Sequence, residues 1–465
     1  MQAQNYHGIQ GSSYAGSIGV HNNPSSIVNT PFKWDITLLG AQAKVSTNFL
    51  EVRNYSILSP ASKSIYLISN GENKRYVFAN ANSNLLNSRI ALNRQNSIAF
   101  GANLRSYSFA KTSSYNFYDT LKNVGNFLVL NERNQPLETD FVTSSWIELY
   151  GTYARTIIDN EYIRVNAGAT LKLSRGISGA HASLQSGKFN RIVSADTIRY
   201  TITGSNARFG YSSNFDRWQN SNSQAENIRN FLKFTEGGAS IDVGVEVLVK
   251  SQEVPTYEDD GYFDYDWKFG LSLLDIGVSQ YKYGLQSRSF SGVRAGLTNI
   301  QLDQKFDSTI RSIPVFNDSL STIVSPSSLG GVYRVLNPAR MVVNADRFIT
   351  GAFYVNAELS LNLSAIFGKR WLYVKEINLL TITPRWETRR LGFYMPVTIN
   401  TQKQFWIGGA VKVGPLLVGL HNLAYLISSK SIHKGGGYIA IILRAPGNTG
   451  KMYDKQLNCP PDRKR

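Results

Sequence analysis

Residues 353–364 read FYVNAELSLNLS, so apolar side chains occupy the odd positions and, Tyr354 aside, polar side chains the even ones. The same alternation recurs at 39–49, 162–174 and 239–250. Successive side chains of a β-strand point to opposite faces, so each stretch predicts a strand with one apolar and one polar face. Ordinary strands have about 5 or 6 residues. These longer stretches match tilted strands that cross a bilayer.

Two arrangements fit this alternation. In a soluble sandwich the apolar faces pack a dry core, whereas in a membrane barrel they face lipid and the polar faces line the lumen. The barrel is favoured by small and medium apolar residues on the apolar faces, by Asn/Ser/Gly-rich connections and by aromatic residues near strand ends. These aromatic residues are Trp34, Phe49, Trp146, Trp267, Trp371, Trp386 and Trp406.

Weaker alternation predicts further strands at 97–109, 141–156, 191–203, 206–213, 262–279, 281–292, 340–350, 373–387, 390–400, 403–413, 415–427 and 436–445. A register slip near Leu273-Leu274 suggests a bulge. Pieces at 64–69 and 75–80 suggest a hairpin inside a loop, and 116–130 a short helix. We therefore predict an all-β, antiparallel transmembrane barrel of outer-membrane type with about 14 strands.

Composition excludes several other classes. Charged residues make up 17% of the 465 residues, against about 25% in soluble proteins. A single cysteine argues against a disulfide scaffold and a cysteine-rich metal protein. The net charge is +17, but the basic residues are not clustered in one stripe, so we expect no nucleic acid partner. A basic rim facing outer-membrane lipid and lipopolysaccharide, or a basic lumen, fits better.

The first residues bear on location. Met1-Gln2-Ala3 ends in a small residue, and we interpret it as the remnant of a removed signal peptide. A cytoplasmic protein that starts at Met1 is the alternative. The longest apolar stretch, 415–427, is too short for a spanning helix. We predict location in the cell outer membrane.

Ser13-Tyr14-Ala15-Gly16, followed by Asn22-Asn23-Pro24-Ser25, resembles the mature start of the FadL-type long-chain fatty-acid transporter superfamily. The pattern departs at Ser25, where alanine is usual. Later stretches resemble a Bacteroidota family of outer-membrane proteins of unknown function, related to FadL and to the PorV barrel of the type IX secretion system. These stretches are 99–106, 153–155, 168–172, 274–277 and 414–423.

The resemblance implies a 14-stranded barrel whose amino-terminal segment folds into the lumen. The predicted organisation is a luminal plug at 1–32, a barrel at 33–446 and a short periplasmic tail at 447–465. The plug motif comprises Tyr14, Gly16, Asn23 and Pro24. A mobile terminal tail is the alternative for 1–32.

The sequence contains no convincing motif for catalysis or metal binding. His7, His21, His181, His421 and His433 match no metal-binding spacing, and there is no Gly-x-Ser-x-Gly elbow. His421-Asn422 is the one tempting pair. The acidic run 258–266 fits a solvated loop better than a calcium site. Cys459 is expected to be free. We predict no enzyme activity, no cofactor and no metal.

The polar strand faces supply the candidate site. The expected lumen-facing residues are Lys44, Arg105, Arg164, Lys172, Asp242, Glu246, Lys250 and Glu358. They form either a solute pathway or a closed, salt-bridged interior. The resemblance favours an accessory or structural subunit of an outer-membrane secretion or assembly complex, with other outer-membrane proteins as partners. The alternative is a FadL-like passive channel for hydrophobic or anionic small molecules.

Overall fold

The computed structural model describes residues 6–53, 64–194, 197–250, 263–367, 371–424 and 433–445. The predicted cleavage remnant at 1–3, most of the acidic run and the tail with Cys459 lie outside these ranges. The strands are β1 (Trp34–Thr47), β2 (Leu50–Arg53), β3 (Ile65–Ile68), β4 (Gly71–Ala91), β5 (Asn96–Phe117), β6 (Leu137–Asp159), β7 (Ile163–Ser194), β8 (Thr197–Tyr211), β9 (Gly237–Val249), β10 (Trp267–Lys282), β11 (Arg288–Ser291), β12 (Ser327–Ser328), β13 (Val332–Leu336), β14 (Arg340–Thr350), β15 (Phe353–Asn362), β16 (Leu372–Tyr373), β17 (Leu379–Glu387), β18 (Leu391–Tyr394), β19 (Val397–Asn400), β20 (Phe405–Ile407), β21 (Gly409–Val413), β22 (Leu416–Leu420) and β23 (Lys434–Arg444). The α-helices are α1 (Val124–Leu130), α2 (Gln224–Leu232), α3 (Asn299–Lys305) and α4 (Ile313–Ser321), and short 3₁₀ turns lie at Gly16–His21, Pro24–Val28, Phe215–Arg217 and Ser364–Phe367.

The sheet closes on itself because β1 pairs antiparallel with both β4 and β23. Antiparallel pairing continues from β4 through β5, β6, β7, β9, β10, β14, β15 and β17. The next strand is β18 plus β19, interrupted at Met395-Pro396, and the one after it is β20 plus β21, interrupted at Gly408. With β22 this makes a closed antiparallel barrel of 14 strands, which confirms the predicted fold class.

The exposure of side chains on the two faces of the wall indicates what surrounds the barrel. In β7, Leu171 is 58% exposed whereas its neighbour Lys172 is 1% exposed. In β1, Val45 is 44% exposed and Lys44 only 5%. Apolar side chains therefore point outward and polar side chains inward, the reverse of a soluble sandwich. A surface of this kind is stable against lipid, so the chain is a transmembrane barrel. None of the helices in the described part of the chain has the length and apolar character to span a bilayer.

The wall is much taller on one side. β5, β6 and β7 have 22, 23 and 32 residues, whereas β15 and β17 have 10 and 9. Since about 9 to 11 residues cross a bilayer, the long strands project beyond it. β7 pairs with β9 over 163–175 and with β8 over 180–194, so β8 continues the wall outside the membrane. Helices α3 and α4 pack on this extension around Leu297, Leu320 and Ile323.

The two ends of the barrel differ in their connections. Tight turns at 92–95, 160–162, 351–352, 388–390 and 414–415 all lie at the end where β1 starts and β23 finishes. The opposite end carries most of the longer connections, including 283–331 with α3 and α4, whereas 250–266 is a long connection at the end with the tight turns. We call these the short-turn end and the long-loop end.

Several sequence predictions need correction. Residues 71–91 form a full wall strand, not part of a loop hairpin, and their Asn-rich inner face concealed the alternation. The predicted strands 191–203 and 206–213 are the end of β7 and β8, and 281–292 comprises the end of β10, a connection and β11, which pairs with β8. The strand at 415–427 stops at Leu420. Trp146 and Trp406 are buried and point into the barrel. The bulge is confirmed, because the register shifts between Leu273 and Ile276.

Candidate functional site

Residues 6–32 run against the inner face of the wall and are mostly buried. Their hydrogen-bond partners come from strands all round the ring, including β1, β4, β10, β15, β17 and β23. The contacts are Tyr6 Oη to Asn84 (3.0 Å), Gly8 N to Tyr438 Oη (3.0 Å), Ser12 Oγ to Glu387 (2.8 Å), Ser17 N to Asp35 (2.5 Å), Asn22 Nδ2 to Glu358 (2.9 Å) and Ser272 Oγ to Asn22 O (2.7 Å). We call residues 6–32 the luminal segment.

Three wall arginines bind backbone carbonyls of the luminal segment, and one of them, Arg444, donates to Tyr14 O at 3.0 Å. Arg89 donates to Ile27 O at 2.7 Å and to Phe32 O at 2.6 Å. Arg340 donates to His21 O at 2.7 Å. Such charge-assisted bonds are stronger than neutral ones, and here they recognise backbone rather than side chains.

Burial also controls a histidine of the luminal segment. The His21 ring lies 3.1 Å from the amide nitrogen of Asn87 and packs edge-on against Tyr150. Burial, followed by the nearby cations Lys172 and Arg105, holds the pKa of His21 well below its ordinary value. His21 is therefore neutral in this packing.

The residues of the predicted plug motif all touch the wall. Gly16 has φ +58°, and a Cβ there would lie 2.4 Å from Asp35 Oδ1, so only glycine fits. Tyr14 lies under Lys412, whose Nζ is 4.6 Å from the ring centroid. Asn23 accepts a hydrogen bond from Ser25 N and donates to Val245 O, at 3.0 Å each.

Asn23 and Pro24 occupy a recess in the wall made by glycines. Gly168 of β7 is paired with Gly244 of β9, and Gly270 lies on the adjacent strand β10. A Cβ on Gly168 would lie 2.7 Å from the Pro24 carbonyl carbon, and a Cβ on Gly244 would lie 2.2 Å from Asn23 Oδ1. The luminal segment and the wall are thus complementary at this point.

A charged network crosses the lumen in the middle of the barrel. Arg105 contacts Asp275 at 2.6 Å and Glu148 at 3.3 Å, and Lys172 contacts Asp275 at 2.7 Å and Asp242 at 2.6 Å. All five side chains are buried. Each of the two cations contacts two of the three carboxylates, so the network presents no unpaired positive charge.

A second network joins β14, β17 and the loop before β10. Arg385 contacts Asp346 at 2.7 Å and Glu387 at 2.8 Å, and Tyr265 donates to Asp346 at 3.0 Å. The Arg385 and Asp346 side chains are completely buried. Because Glu387 also accepts from Ser12, this network binds the luminal segment too.

The remaining lumen candidates lie at different levels. Glu358 contacts the luminal segment through Asn22, and Glu246 lies 3.9 Å from Lys268 and accepts from Asn166. The Lys44 ammonium lies 5.5 Å from the Trp406 ring centroid. Arg164 and Lys250 both contact Asp159, at 3.3 and 2.7 Å, near the short-turn end. Lys250 is the most exposed of the set, with 27% of its side chain accessible.

An aromatic layer lies beyond the charged network, toward the long-loop end. Tyr107 stacks on Trp146 with centroids 5.3 Å apart, and Tyr281 lies 5.4 Å from Tyr333. The guanidinium of Arg105 lies 5.0 Å from the Trp146 ring centroid and joins this layer to the charged network. His181 packs edge-on against Tyr333. We call these residues the aromatic layer.

A small cavity lies beside the luminal segment. A cavity of about 30 Å³ lies between it and strands β9, β10 and β14, lined in part by Gly11, Asn22 and Lys268. A water molecule fits this volume, whereas a small-molecule site needs about 300 Å³ or more. In the described structure this cavity therefore holds no solute-sized space.

No metal centre can be built from the described residues, since they contain no group of three or more His, Cys, Asp or Glu side chains placed to hold an ion. His421 packs its ring against His7 and Tyr438, at 5.1 Å from each. The tempting pair His421-Asn422 is thus part of the contact between the wall and the luminal segment.

Comparison with protein families decides the affiliation. Residues 24–421 match the family described as "Family of unknown function (DUF5723)". The chain belongs to this family. No curated protein matches the chain.

Solved structures similar to this DUF5723 member are bacterial barrels. They include the Ralstonia pickettii toluene transporter TbuX (9% identity, 92% of this chain and 94% of that chain, TM-score 0.40). A Pseudomonas aeruginosa FadL homologue has 9% identity, covers 93% and 95%, and has a TM-score of 0.41. The P. putida toluene transporter TodX has 10% identity, covers 92% and 93%, and has a TM-score of 0.39.

Sequence reasoning missed much of the lumen of this DUF5723 member. Asp346 and Arg385 follow the alternation of their own strands and could have been assigned to the polar face. Asp275 sits at the bulge, where φ is +58° and strict alternation fails. The aromatic layer could not be recognised from the sequence. Trp146 and Tyr107 occupy inward positions of their strands, and the alternation predicts polar residues on that face.

Proposed function

We propose that this DUF5723 member is a passive outer-membrane channel for small hydrophobic molecules, held closed by its luminal segment. The observation that carries the proposal is that a separate stretch of chain, rather than the wall side chains alone, occupies the lumen. A barrel of about 8 strands fills its interior with its own side chains, whereas wider barrels leave a lumen. Here that space is taken by residues attached to the wall through the backbone at Lys33.

The contacts of the luminal segment support a removable closure. They include hydrogen bonds to polar wall residues, the glycine recess and four arginine-to-carbonyl contacts. Apolar residues of the segment also pack on the wall, in one cluster with Ile9 and Ile18 and in another with Val20 and Ile27. Water can replace such polar contacts at low net free energy, since an individual hydrogen bond contributes about 1 kcal/mol. The wall closes through its own strand pairing, so the segment can leave it without breaking the ring of strands.

The side chains that line the lumen indicate which class of solute the channel would admit. Arg105 and Lys172, the cations of the central network, each contact two carboxylates at 2.6 to 3.3 Å, which disfavours selection of anions by this network. The aromatic layer instead offers large apolar faces with a few polar groups, the usual character of a site for uncharged organic molecules. This supports the hydrophobic rather than the anionic form of the channel hypothesis.

The orientation follows from the two ends. Outer-membrane barrels have short periplasmic turns and longer extracellular loops. We therefore assign the long-loop end and the tall wall to the cell exterior. A solute from outside would meet the aromatic layer first, and the luminal segment would close the path toward the periplasm.

The test is uptake of an uncharged aromatic probe, phenylnaphthylamine, by Gram-negative cells that express the full chain. We expect faster uptake than in cells without the protein. Ser17 Oγ and Thr37 Oγ1 are 2.9 Å apart, so Ser17→Cys with Thr37→Cys in a Cys459→Ser background can lock the luminal segment to β1. Oxidation should abolish the gain in uptake and reduction should restore it. Uptake that ignores both expression and oxidation would contradict the channel.

The second candidate is an accessory subunit of an outer-membrane secretion or assembly complex. The observation in its favour is the tall wall, which exposes Ile192, Val193 and Ile198 beyond the membrane-spanning part of β7 and β8. Purification from native membranes in mild detergent distinguishes the two. Stoichiometric partner proteins support the subunit, whereas a monomer that admits the aromatic probe into vesicles supports the channel.

A further inference from the structure

Residues 212–236 form a small lobe between β8 and β9, which we call the outer lobe. β8 and β9 occupy the same column of the wall, so the chain between them leaves the plane of the sheet. Arg175 donates to Thr235 O at 2.7 Å. Arg175 is the exposed residue that follows outward-facing Leu171 and Leu173 in the alternation of β7. The outer lobe therefore lies outside the barrel, where the lipid-facing part of β7 ends.

The helix of the outer lobe buries a polar side chain and exposes two large apolar ones. In α2 the side chain of Asn227 is buried and exchanges hydrogen bonds with the backbone of Gln219 at 2.8 and 3.0 Å. Ile228 and Leu232, one turn apart on the same face, are 54% and 49% exposed. Phe231, one turn after Asn227, packs against Phe215 and Trp218 with centroids 5.4 and 6.2 Å apart. Ile228 and Leu232 take no part in this packing and point outward, as the apolar residues of the wall do.

Further apolar side chains extend this surface. Phe215, Trp218, Phe234 and the neighbouring Leu285 are all exposed, and Phe234 is 77% exposed. Phe234 lies three residues before Gly237, the start of the wall strand β9, whose outward residue Ile241 is also exposed. The apolar surface of the outer lobe is thus continuous along the chain with the lipid-facing belt.

Cationic residues accompany the apolar ones. Arg229 and Lys233 are exposed on or beside α2, and Arg217 lies 5.1 Å from the Phe234 ring centroid. Helices that lie in a membrane interface combine Trp, Phe and Leu on one face with Lys or Arg directed to the headgroups. Aromatic rings are likewise typical of the interface at both rims of a membrane barrel.

We propose that the outer lobe is an interfacial anchor. It places Ile228, Leu232 and Phe234 in the outer-leaflet lipid beside β7 and β9, with Arg229 and Lys233 at the level of anionic headgroup phosphates. The occupant of this surface is a lipid surface rather than a protein, because the surface continues the lipid-facing belt. The anchor does not depend on whether the barrel conducts.

The test uses the full chain in vesicles of phosphatidylcholine and phosphatidylglycerol. An environment-sensitive nitrobenzoxadiazole label is attached at Ile228→Cys, in a Cys459→Ser background. The matched control is Glu226→Cys, which is exposed on the opposite face of the same helix. We expect doxyl-labelled phosphatidylcholine to quench the label at 228 several-fold more than the label at 226, and aqueous iodide to show the reverse order.

Two results would overturn parts of the proposal. Equal iodide quenching at both positions would show that the apolar face lies in water, open to a protein partner, and would reject the anchor. In vesicles of phosphatidylcholine alone we expect weaker lipid quenching at 228, because the cations lose their anionic headgroups. Unchanged quenching there would reject the role of Arg229 and Lys233 while leaving the apolar insertion standing.

Discussion

Gly168 of β7 lies directly opposite Gly244 of β9, and Asn23-Pro24 of the luminal segment occupies the space left by the two missing side chains. The contact joins two parts of the chain far apart in sequence. It gives the wall a shape that matches the luminal segment, at a point where any Cβ would collide with it.

The glycine recess provides the first prediction. Gly244→Val places side-chain atoms where Asn23 lies, since even the Cβ would be 2.2 Å from its Oδ1. We expect the luminal segment to undock and single-channel conductance to appear in planar bilayers. Gly151→Val is the matched control, because a Cβ added to Gly151 would have no atom within 4 Å. Equal conductance of both variants would show that the recess does not hold the segment.

The buried ion pair of Arg385 and Asp346 provides the second prediction. Arg385→Met leaves a carboxylate uncompensated in a water-poor site, and we expect a loss of about 3 to 5 kcal/mol in unfolding free energy. The shift in the temperature of heat modifiability on gels measures it. Lys111→Met breaks the pair with Asp140, which is more than 40% exposed, and should cost about 1 kcal/mol or less. Similar shifts for both would contradict the burial of the network.

The third prediction tests where the membrane lies along β7. Leu171→Arg puts a charge on the lipid-facing wall and should destabilise the barrel by about 2 to 4 kcal/mol. Ile192→Arg changes an exposed residue of the same strand beyond the membrane and should leave stability nearly unchanged. Denaturant unfolding from vesicles gives both values. A large loss of unfolding free energy for Ile192→Arg would show that the membrane extends further along β7 than we assign.

The fourth prediction concerns pH. The pKa of His21 is lowered by burial and by nearby cations, so the unfolded or undocked histidine binds protons more readily than the docked one. The stabilising effect of docking is therefore complete above pH of about 6.5 and is lost as the pH falls below it. We expect protease cleavage of the luminal segment to increase at pH of about 5, and His21→Asn to weaken this dependence. A pH-independent cleavage rate would contradict the linkage.

The strands of the wall could be predicted from the sequence more completely than the contacts inside the lumen. Alternation identified strands such as β9 and β15 because each has one uniformly apolar face, and lipid imposes that rule on every spanning strand. It failed for β4, where inward residues such as Asn82 and Asn84 sit among other short polar residues and blur the contrast. Lumen-facing residues obey no such uniform rule, because polar, charged and aromatic side chains all occur there.

Partners in the lumen come from strands distant in sequence. Lys172 was assigned to the inner face by alternation, but its contact with Asp275 depends on a bulge that turns one carboxylate inward. Trp146 was expected at a membrane interface, yet its register places it inside against Tyr107. Spacing along one strand cannot give such pairings, because they depend on closure of the ring.

The central claim is that residues 6–32 close the lumen, and planar-bilayer conductance tests it most directly. The comparison is between the full chain and a chain lacking residues 6–32, each first shown to be folded by its heat-modifiable migration. We predict no steady conductance for the full chain, whose luminal segment leaves the wall only transiently, and a steady, ohmic conductance for the shortened one. A shortened chain that is folded but silent would contradict the account.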